Sequence, residues 1–283
     1  MKILAIGDFH GRFPDKLKSL IKKENLDLIF STGDYAGVDE FRPALKKMFK
    51  LAAQGKEFSY EDYFGKEKYK KLLKKDFESG KLPLKEINKF GIPVFSVFGN
   101  GDWYNWERGD KRRLYENEVK KLRNIADLNR ASGNFRGLKI SGFGGYLDPD
   151  IYFTEKGIKA INSSEENASR RKARYDKWEN QMMKITKGAD IVLAHYTPYK
   201  CLDVMKEKGF MLSGENMGVS SYNRVIKKYK PALLVCGHMH ENQGKCKINA
   251  TLVVNPGAAL EGKAAIIDFD EKMKRVLSVR FVR

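Results

Sequence analysis

The chain has 283 residues, a hydrophobic content of 42% and a formal net charge of +18. This length and apolar content exclude a disordered polypeptide and are sufficient for a large buried core. No apolar run approaches the ~18 residues of a membrane span, and the short first run meets Asp8 too early for a signal peptide. We therefore expect a cytoplasmic protein with no membrane partner. The sequence leaves its oligomeric state open.

Cysteine usage supports the same expectation. Three cysteines, Cys201, Cys236 and Cys246, are too few for a disulfide framework, and they lack the spacing of a zinc site. A chain of this kind suits a reducing compartment.

The positive charge has two interpretations. It attracts polyanions, so the expected partner is a phosphorylated small molecule or a nucleic acid. Alternatively, many Lys and Glu residues beside only three Gln residues are typical of heat-adapted proteins, although the asparagine content does not fit that interpretation. Composition alone does not decide between the two.

Apolar runs and helical patterns alternate along the chain, which predicts an α/β fold with parallel strand pairing. The last strands predict antiparallel additions to the sheet. Strands are predicted at 2–7, 27–31, 92–98, 138–140, 191–194, 231–235, after 245, at 264–269 and at 276–282. Helices are predicted at 14–23, within 38–90, at 110–124, in the basic segment ending at 187, and at 219–229.

Side chains that can bind a metal ion follow five of these strands. They are Asp8, His10, Asp34, Asn100, His195, His238 and His240. Taken singly, each has a plain explanation, because Gly-Asp and Gly-Asn-Gly-Asp are ordinary turns and a lone histidine is often structural. Taken together they indicate a site, since the chain has four histidines and every one follows an apolar run.

Oxygen and imidazole ligands without a thiolate favour manganese, with iron, zinc, cobalt or nickel as alternatives. Seven ligands are too many for one ion. They suit two divalent ions about 3.5–4 Å apart, an arrangement that activates a shared water for displacement at phosphorus.

These residues resemble the calcineurin-like metallophosphoesterases. Asp8-x-His10, Gly33-Asp34, Gly99-Asn100, His195 and Gly237-His238-x-His240 match the five motifs of that family in order. The resemblance implies one domain over residues 1–283, with two β-sheets sandwiched between helices in four layers. It also implies one metal held by Asp8, His10, Asp34 and His240, and a second held by Asp34, Asn100, His195 and His238.

The same resemblance implies hydrolysis by a hydroxide that bridges the two ions, with Asp34 as the bridging ligand. We take Asp34, Asn100 and the acidic residue of the third motif, Asp102, as the catalytic residues. The sequence departs from the family at Gly101, where a histidine that contacts the phosphate is common. Family members that lack this histidine are often phosphodiesterases.

The stretch between Asp34 and Asn100 is long for the family, and segments 38–90 and 150–187 are interpreted as helical insertions that form a cap or lid. Specificity often lies in such insertions. Trp103 and Tyr104, next to Asn100, can stack on a base, whereas Trp106 fits a core position better. Arg12, beside the first motif, is a candidate contact for a phosphate oxygen.

We therefore expect a metal-dependent phosphodiesterase that acts on a nucleotide or nucleic acid. A phosphomonoesterase or protein phosphatase of the same family is the alternative within this class. A different class remains open, namely a nucleic-acid-binding protein with a structural metal site that binds through the basic helices at 66–75 and 170–177.

Overall fold

The computed structural model describes residues 1–52, 54, 56–103, 110–145, 165–208 and 212–283. Strands form where the sequence has short apolar runs, and most runs end in a glycine or a polar residue. Within the described residues the strands are β1 (Lys2–Ile6), β2 (Leu28–Ser31), β3 (Val94–Ser96), β4 (Ile125–Asp127), β5 (Ala131–Phe135), β6 (Leu138–Phe143), β7 (Ile191–Ala194), β8 (Leu233–Val235), β9 (Gly244–Ile248), β10 (Thr251–Asn255), β11 (Ala264–Asp270) and β12 (Arg275–Val282).

Several of the helices have one apolar face that packs on a sheet. They are α1 (Asp15–Lys23), α2 (Phe41–Ala52), α3 (Tyr60–Phe64), α4 (Lys66–Asn88), α5 (Asn100–Trp103), α6 (Asp110–Val119), α7 (Glu165–Thr186) and α8 (Ser220–Tyr229), with 3₁₀ turns at His240–Asn242 and Ala259–Glu261. Among the described residues, none of the helices is both long and apolar enough to cross a membrane.

The described strands form two sheets of six. The first has the order β12-β11-β1-β2-β3-β4, and the second has the order β5-β6-β7-β8-β10-β9. The centres are parallel, as in the pairs β1–β2, β2–β3 and β7–β8. The expected antiparallel additions are present, since β11 pairs antiparallel with both β1 and β12. Parallel neighbours bring the ends of their strands to one edge of each sheet.

The core has three apolar layers, which confirms the expected four-layer architecture. Ile3 and Phe30 of the first sheet meet Leu193 and Val235 of the second in the layer between the sheets. Helices α1, α4 and α6 pack on the outer face of the first sheet. Helices α7 and α8 cover the outer face of the second. Both sheets are therefore buried on two sides, which explains why their central strands are apolar without alternation.

The segment 38–90 is helical, as expected, but its parts differ in packing. Phe77, Leu84 and Ile87 of α4 belong to the core against the first sheet, so this half of the segment is the crossover between β2 and β3. Helices α2 and α3 precede this crossover. A cap formed by 38–90 stays a prediction, and residues 150–164 of the second predicted insertion lie outside the described residues.

Two of the three cysteines are paired, although they do not form a disulfide framework. Cys201 and Cys246 form a disulfide with their Cα atoms 6.2 Å apart, whereas Cys236 is free and buried. The bond joins the loop after β7 to strand β9, a pairing that depends on how the second sheet is assembled. Spacing along the chain does not reveal such a pair.

Candidate metal centre

The seven candidate ligands lie at the carboxyl ends of five strands. β1 leads to Asp8, β2 to Asp34 and β3 to Asn100 in the first sheet, whereas β7 leads to His195 in the second. The two sheets meet at this edge, because the His195 ring contacts the backbone oxygen of Thr32 at 2.8 Å. The topology therefore assembles residues that are up to 232 positions apart in the sequence.

The first ligand group contains Asp8, His10 and His240, whose ligand atoms lie within 4.8 Å of one another. His10 Nε2 is 3.1 Å from His240 Nε2, and Asp8 Oδ1 is 3.4 Å from the same His240 atom. His10 Nδ1 is 3.2 Å from the carbonyl oxygen of Ala36. Because that oxygen only accepts, Nδ1 is the protonated nitrogen, and the lone pair of His10 Nε2 faces the group.

The second group contains Asp34, His195 and His238, again within 4.8 Å of one another. His195 is fully buried, and its Nδ1 donates to the Thr32 oxygen, which leaves a lone pair on Nε2. This lone pair faces the Oδ1 atom of Asn100 at 2.8 Å.

Two acceptors at that distance repel each other unless a cation attracts both. The donor set of carboxylates, imidazoles and an amide oxygen is one that first-row divalent ions accept. The residues present therefore fit two divalent ions.

Asp34 lies between the two groups. Its Oδ2 atom is 3.8 Å from His10 Nε2 and 3.7 Å from His195 Nε2. Its Oδ1 atom accepts a hydrogen bond of 2.7 Å from the Gly101 backbone. One carboxylate thus reaches both groups, which is the geometry that a bridging ligand requires.

Four of the candidate ligands have a left-handed backbone. The φ angles are 57° for Asp8, 44° for His10, 52° for Asp34 and 67° for His238. A left-handed residue shortly after a strand turns the chain sharply, so that its side chain no longer follows the alternation of the strand. This turn is what directs side chains from both sheets toward one point.

Two glycines of the third motif pack against Asp34. A Cβ atom at Gly99 would lie 2.1 Å from Asp34 Oδ1, which no side chain tolerates. A Cβ atom at Gly101 would lie 3.0 Å from the same oxygen. Position 101 therefore borders the Asp34 carboxylate, and there this chain has no side chain.

Asp102 lies beneath the ligands. It is fully buried, and its carboxylate accepts hydrogen bonds from the backbone N–H groups of Tyr35, Ala36 and Gly99. These contacts join the loop after Asp34 to the loop that contains Asn100. The structure thus gives Asp102 a positioning role, and the predicted catalytic role is not tested by it.

The predicted substrate contacts are placed as follows. Arg12 is exposed at the surface, where its guanidinium donates to Asp39 at 2.6 Å. Trp103 ends helix α5, but its side chain and the whole of Tyr104 and Trp106 lie outside the described residues. Contacts of Arg12, Trp103 and Tyr104 with a substrate stay predictions.

The charges of the buried ligands depend on their pairing. Burial alone would raise the pKa of Asp8, but the charge and hydrogen bond of His240 outweigh it and lower that pKa to about 2. Burial would lower the pKa of His240, yet the Asp8 carboxylate raises it to about 9. Burial, helped by His195, lowers the pKa of His238 to about 3. Without metal, the first group therefore holds a protonated His240 beside an ionised Asp8.

Metal uptake is expected to release a proton from His240 at neutral pH. A metal ion binds the neutral imidazole, so protons compete with it at every pH below about 9. The affinity should rise up to about tenfold per pH unit between pH 7 and 9, because one proton leaves for each ion bound. Calorimetric titration of Mn²⁺ in buffers of different ionisation enthalpy measures this proton. The variant His240→Gln should not release it, and a wild-type chain that releases none at pH 7 contradicts the charge assignment.

Comparison with known proteins gives the family of the chain. The chain matches the family described as "Metallophosphoesterase, calcineurin superfamily" over residues 1–277. One solved structure is similar with a TM-score of 0.65 at 20% sequence identity, over 100% of this chain and 98% of the other. The protein TT1561 of Thermus thermophilus has a TM-score of 0.52 at 18% identity, over 100% and 99%. A dimetal phosphatase from Danio rerio has a TM-score of 0.45 at 10% identity, over 96% and 93%. The curated proteins gave no match.

At these identities the first two structures show a shared fold, whereas the family match covers nearly the whole chain. The resemblance drawn from the five motifs is therefore confirmed. With two candidate sites for divalent metal ions at the strand ends, the chain belongs to the calcineurin superfamily of metallophosphoesterases.

Proposed function

We propose that this metallophosphoesterase hydrolyses phosphodiesters of a nucleotide or nucleic acid and uses two divalent ions, with manganese preferred. The observation behind the proposal is the use of its histidines. The chain has four, and all four belong to the two ligand groups. No imidazole remains to contact a phosphate or to protonate a leaving group, a task that the side chain at position 101 performs in many relatives.

The absence of a side chain at Gly101 also changes the space beside Asp34. A Cβ atom there would already be 3.0 Å from Asp34 Oδ1 and 3.4 Å from the Ala36 oxygen. Both distances are short, so a side chain at this position requires a local shift of its neighbours. The lack of an imidazole at position 101 is therefore matched by the local packing.

Two bound ions would acidify a water molecule and offset the charge that develops on the phosphoryl oxygens. The residues of the chain supply the geometry for this chemistry. Asp34 reaches both groups, while the Ala36 and Thr32 carbonyls fix the rings of His10 and His195. A fixed ring keeps its lone pair directed at the site, so little reorganisation is needed during the reaction.

The substrate class is supported by charge. A net charge of +18 raises the local concentration of anions and speeds their association, most strongly for polyanions at low ionic strength. Nucleotides and nucleic acids are the phosphodiesters for which such a field helps most.

The proposal predicts that a chromogenic phosphodiester is cleaved faster than the matching monoester. We expect kcat/KM for bis(p-nitrophenyl) phosphate to exceed that for p-nitrophenyl phosphate by about tenfold or more in Mn²⁺, since the site has no imidazole to assist the monoester. Chelator should remove both activities. His238→Ala, which deletes a ligand of the second group, should also remove them, whereas Lys272→Ala on a distant surface turn should not.

A preference for the monoester would show that another residue replaces the missing histidine and that the substrate class is wrong. Absence of turnover with manganese, iron, zinc, cobalt or nickel would instead favour the nucleic-acid-binding protein with a structural metal site.

A further inference from the structure

Six aromatic rings meet where α2, α3 and the first turn of α4 come together. The Phe41 ring is central, with centroid distances of 5.8 Å to Tyr60, 5.7 Å to Phe64 and 6.4 Å to Tyr69. The rings of Tyr60 and Tyr69 stack at 6.1 Å. The cluster consists of Phe41, Phe58, Tyr60, Tyr63, Phe64 and Tyr69.

None of these rings is fully buried. Tyr63 is 38% exposed, and its ring packs edge-on against Phe64 with centroids 4.8 Å apart. Two exposed lysines sit over the rings, with Lys47 Nζ 5.1 Å from the Tyr63 centroid and Lys68 Nζ 5.6 Å from that of Phe64. We call Lys47, Tyr63, Phe64 and Lys68 the aromatic–lysine surface.

The segment that holds this surface is basic as a whole. Residues 41–75 contain eleven Lys and Arg against four Asp and Glu, a net charge of +7. Glu57, Glu61, Asp62 and Glu67 are the acidic residues of this segment. Exposed lysines continue along α4 at positions 70, 71 and 74. Positive charge beside accessible ring faces is the combination that binds a single strand, because its phosphates are anionic and its base faces are free to stack.

A short stretch of chain connects the metal centre to the aromatic cluster. Residues 35–37 follow Asp34 and run beside His10. The Ala36 oxygen contacts the His10 imidazole, and a Cβ atom at Gly37 would lie 2.7 Å from His10 Cβ. Helix α2 begins at Phe41, only four residues after Gly37. Four residues span at most about 14 Å, so the Phe41 backbone, where the aromatic cluster begins, lies within that distance of Gly37.

We propose that the aromatic–lysine surface binds a single-stranded segment of a nucleic acid while one of its phosphodiesters lies at the metal centre. Tyr63 stacks on a base, and Lys47 and Lys68 move from the ring faces to neighbouring phosphates. The link to the metal centre rests on the proposed function, whereas the binding surface itself does not require catalysis.

Fluorescence anisotropy tests the binding with a labelled oligothymidylate of about 15 nucleotides and the full chain in EDTA, so that the strand is not cleaved. Tyr63→Ala should weaken binding at least about fivefold, and Tyr63→Phe, which keeps the ring, should bind like the wild type. Lys68→Ala should weaken binding and lower the salt slope by about 0.7.

Lys272→Ala is the matched control for charge. It removes the same charge in the turn between β11 and β12, and the antiparallel pairing of β11 with β1 places that turn at the end of the sheet opposite the ligands. This variant should leave both the affinity and the salt slope unchanged. All four variants should retain the wild-type kcat/KM for a small chromogenic diester, which does not reach the surface.

Wild-type affinity in Tyr63→Ala would overturn the proposal. So would tighter binding to vesicles of anionic phospholipid than to the oligonucleotide, since the surface would then be one for membranes. If binding depends on Tyr63 but the chain cleaves no phosphodiester, the binding proposal is supported and the proposed function is rejected. The failure of one proposal can therefore be distinguished from the failure of the other.

Discussion

Replacing Asp34 with asparagine is expected to lower kcat for phosphoester hydrolysis by about a thousandfold or more. The Oδ2 atom of Asp34 is within 3.8 Å of one histidine in each ligand group. Asparagine keeps the shape of the side chain, but it removes the negative charge that would hold two cations close together. The bound metal should therefore fall from two ions per chain to one or none.

Kinetics together with metal analysis by mass spectrometry checks this result. Asp15→Asn is a suitable control, because it makes the same chemical change at an exposed position in the first turn of α1. An Asp34→Asn chain that keeps two ions and a kcat within about tenfold of the wild type would contradict the bridging role.

Replacing Asp102 with alanine is expected to lower the free energy of unfolding by about 3–5 kcal/mol. Three backbone N–H groups, those of Tyr35, Ala36 and Gly99, would lose their buried acceptor. The loops that position Asp34 and Asn100 would then separate, and activity should fall with them. Asp102→Asn retains one acceptor oxygen and should show an intermediate loss.

Urea denaturation and a pH profile of kcat/KM distinguish positioning from catalysis. A positioning residue leaves the shape of the pH profile unchanged while stability falls. Asp39→Ala, at an exposed carboxylate, should change neither. Unchanged stability in Asp102→Ala, with a large loss of kcat and an altered pH profile, would assign Asp102 a direct part in the reaction.

The parts of the fold that hold the ligands were predictable because they are buried on both faces. β1, β2, β7 and β8 are mainly apolar runs that each end shortly before a ligand residue, and this signal does not depend on the rest of the chain. The two ligand groups followed from the same reasoning, since every histidine of the chain is in them.

Other features depend on contacts that sequence patterns do not encode. Strand β4 has three residues, and β5 is the polar segment Ala131–Phe135 with half-buried and exposed positions, so neither has the signal of a buried strand. The anchoring contacts of Asp102 join loops that are 67 positions apart in the sequence. The ion pair of Arg12 with Asp39 is likewise set by the turn after β2.

The left-handed backbone of four ligand residues also has an energetic consequence. This conformation costs an ordinary L-residue about 1–2 kcal/mol, and glycine adopts it without that cost. In a protein that needed only its fold, glycine at position 10 or 238 would remove this backbone cost. This chain has histidine at both positions, with φ angles of 44° and 67°. Its metal centre is thus built on backbone positions that carry a conformational cost.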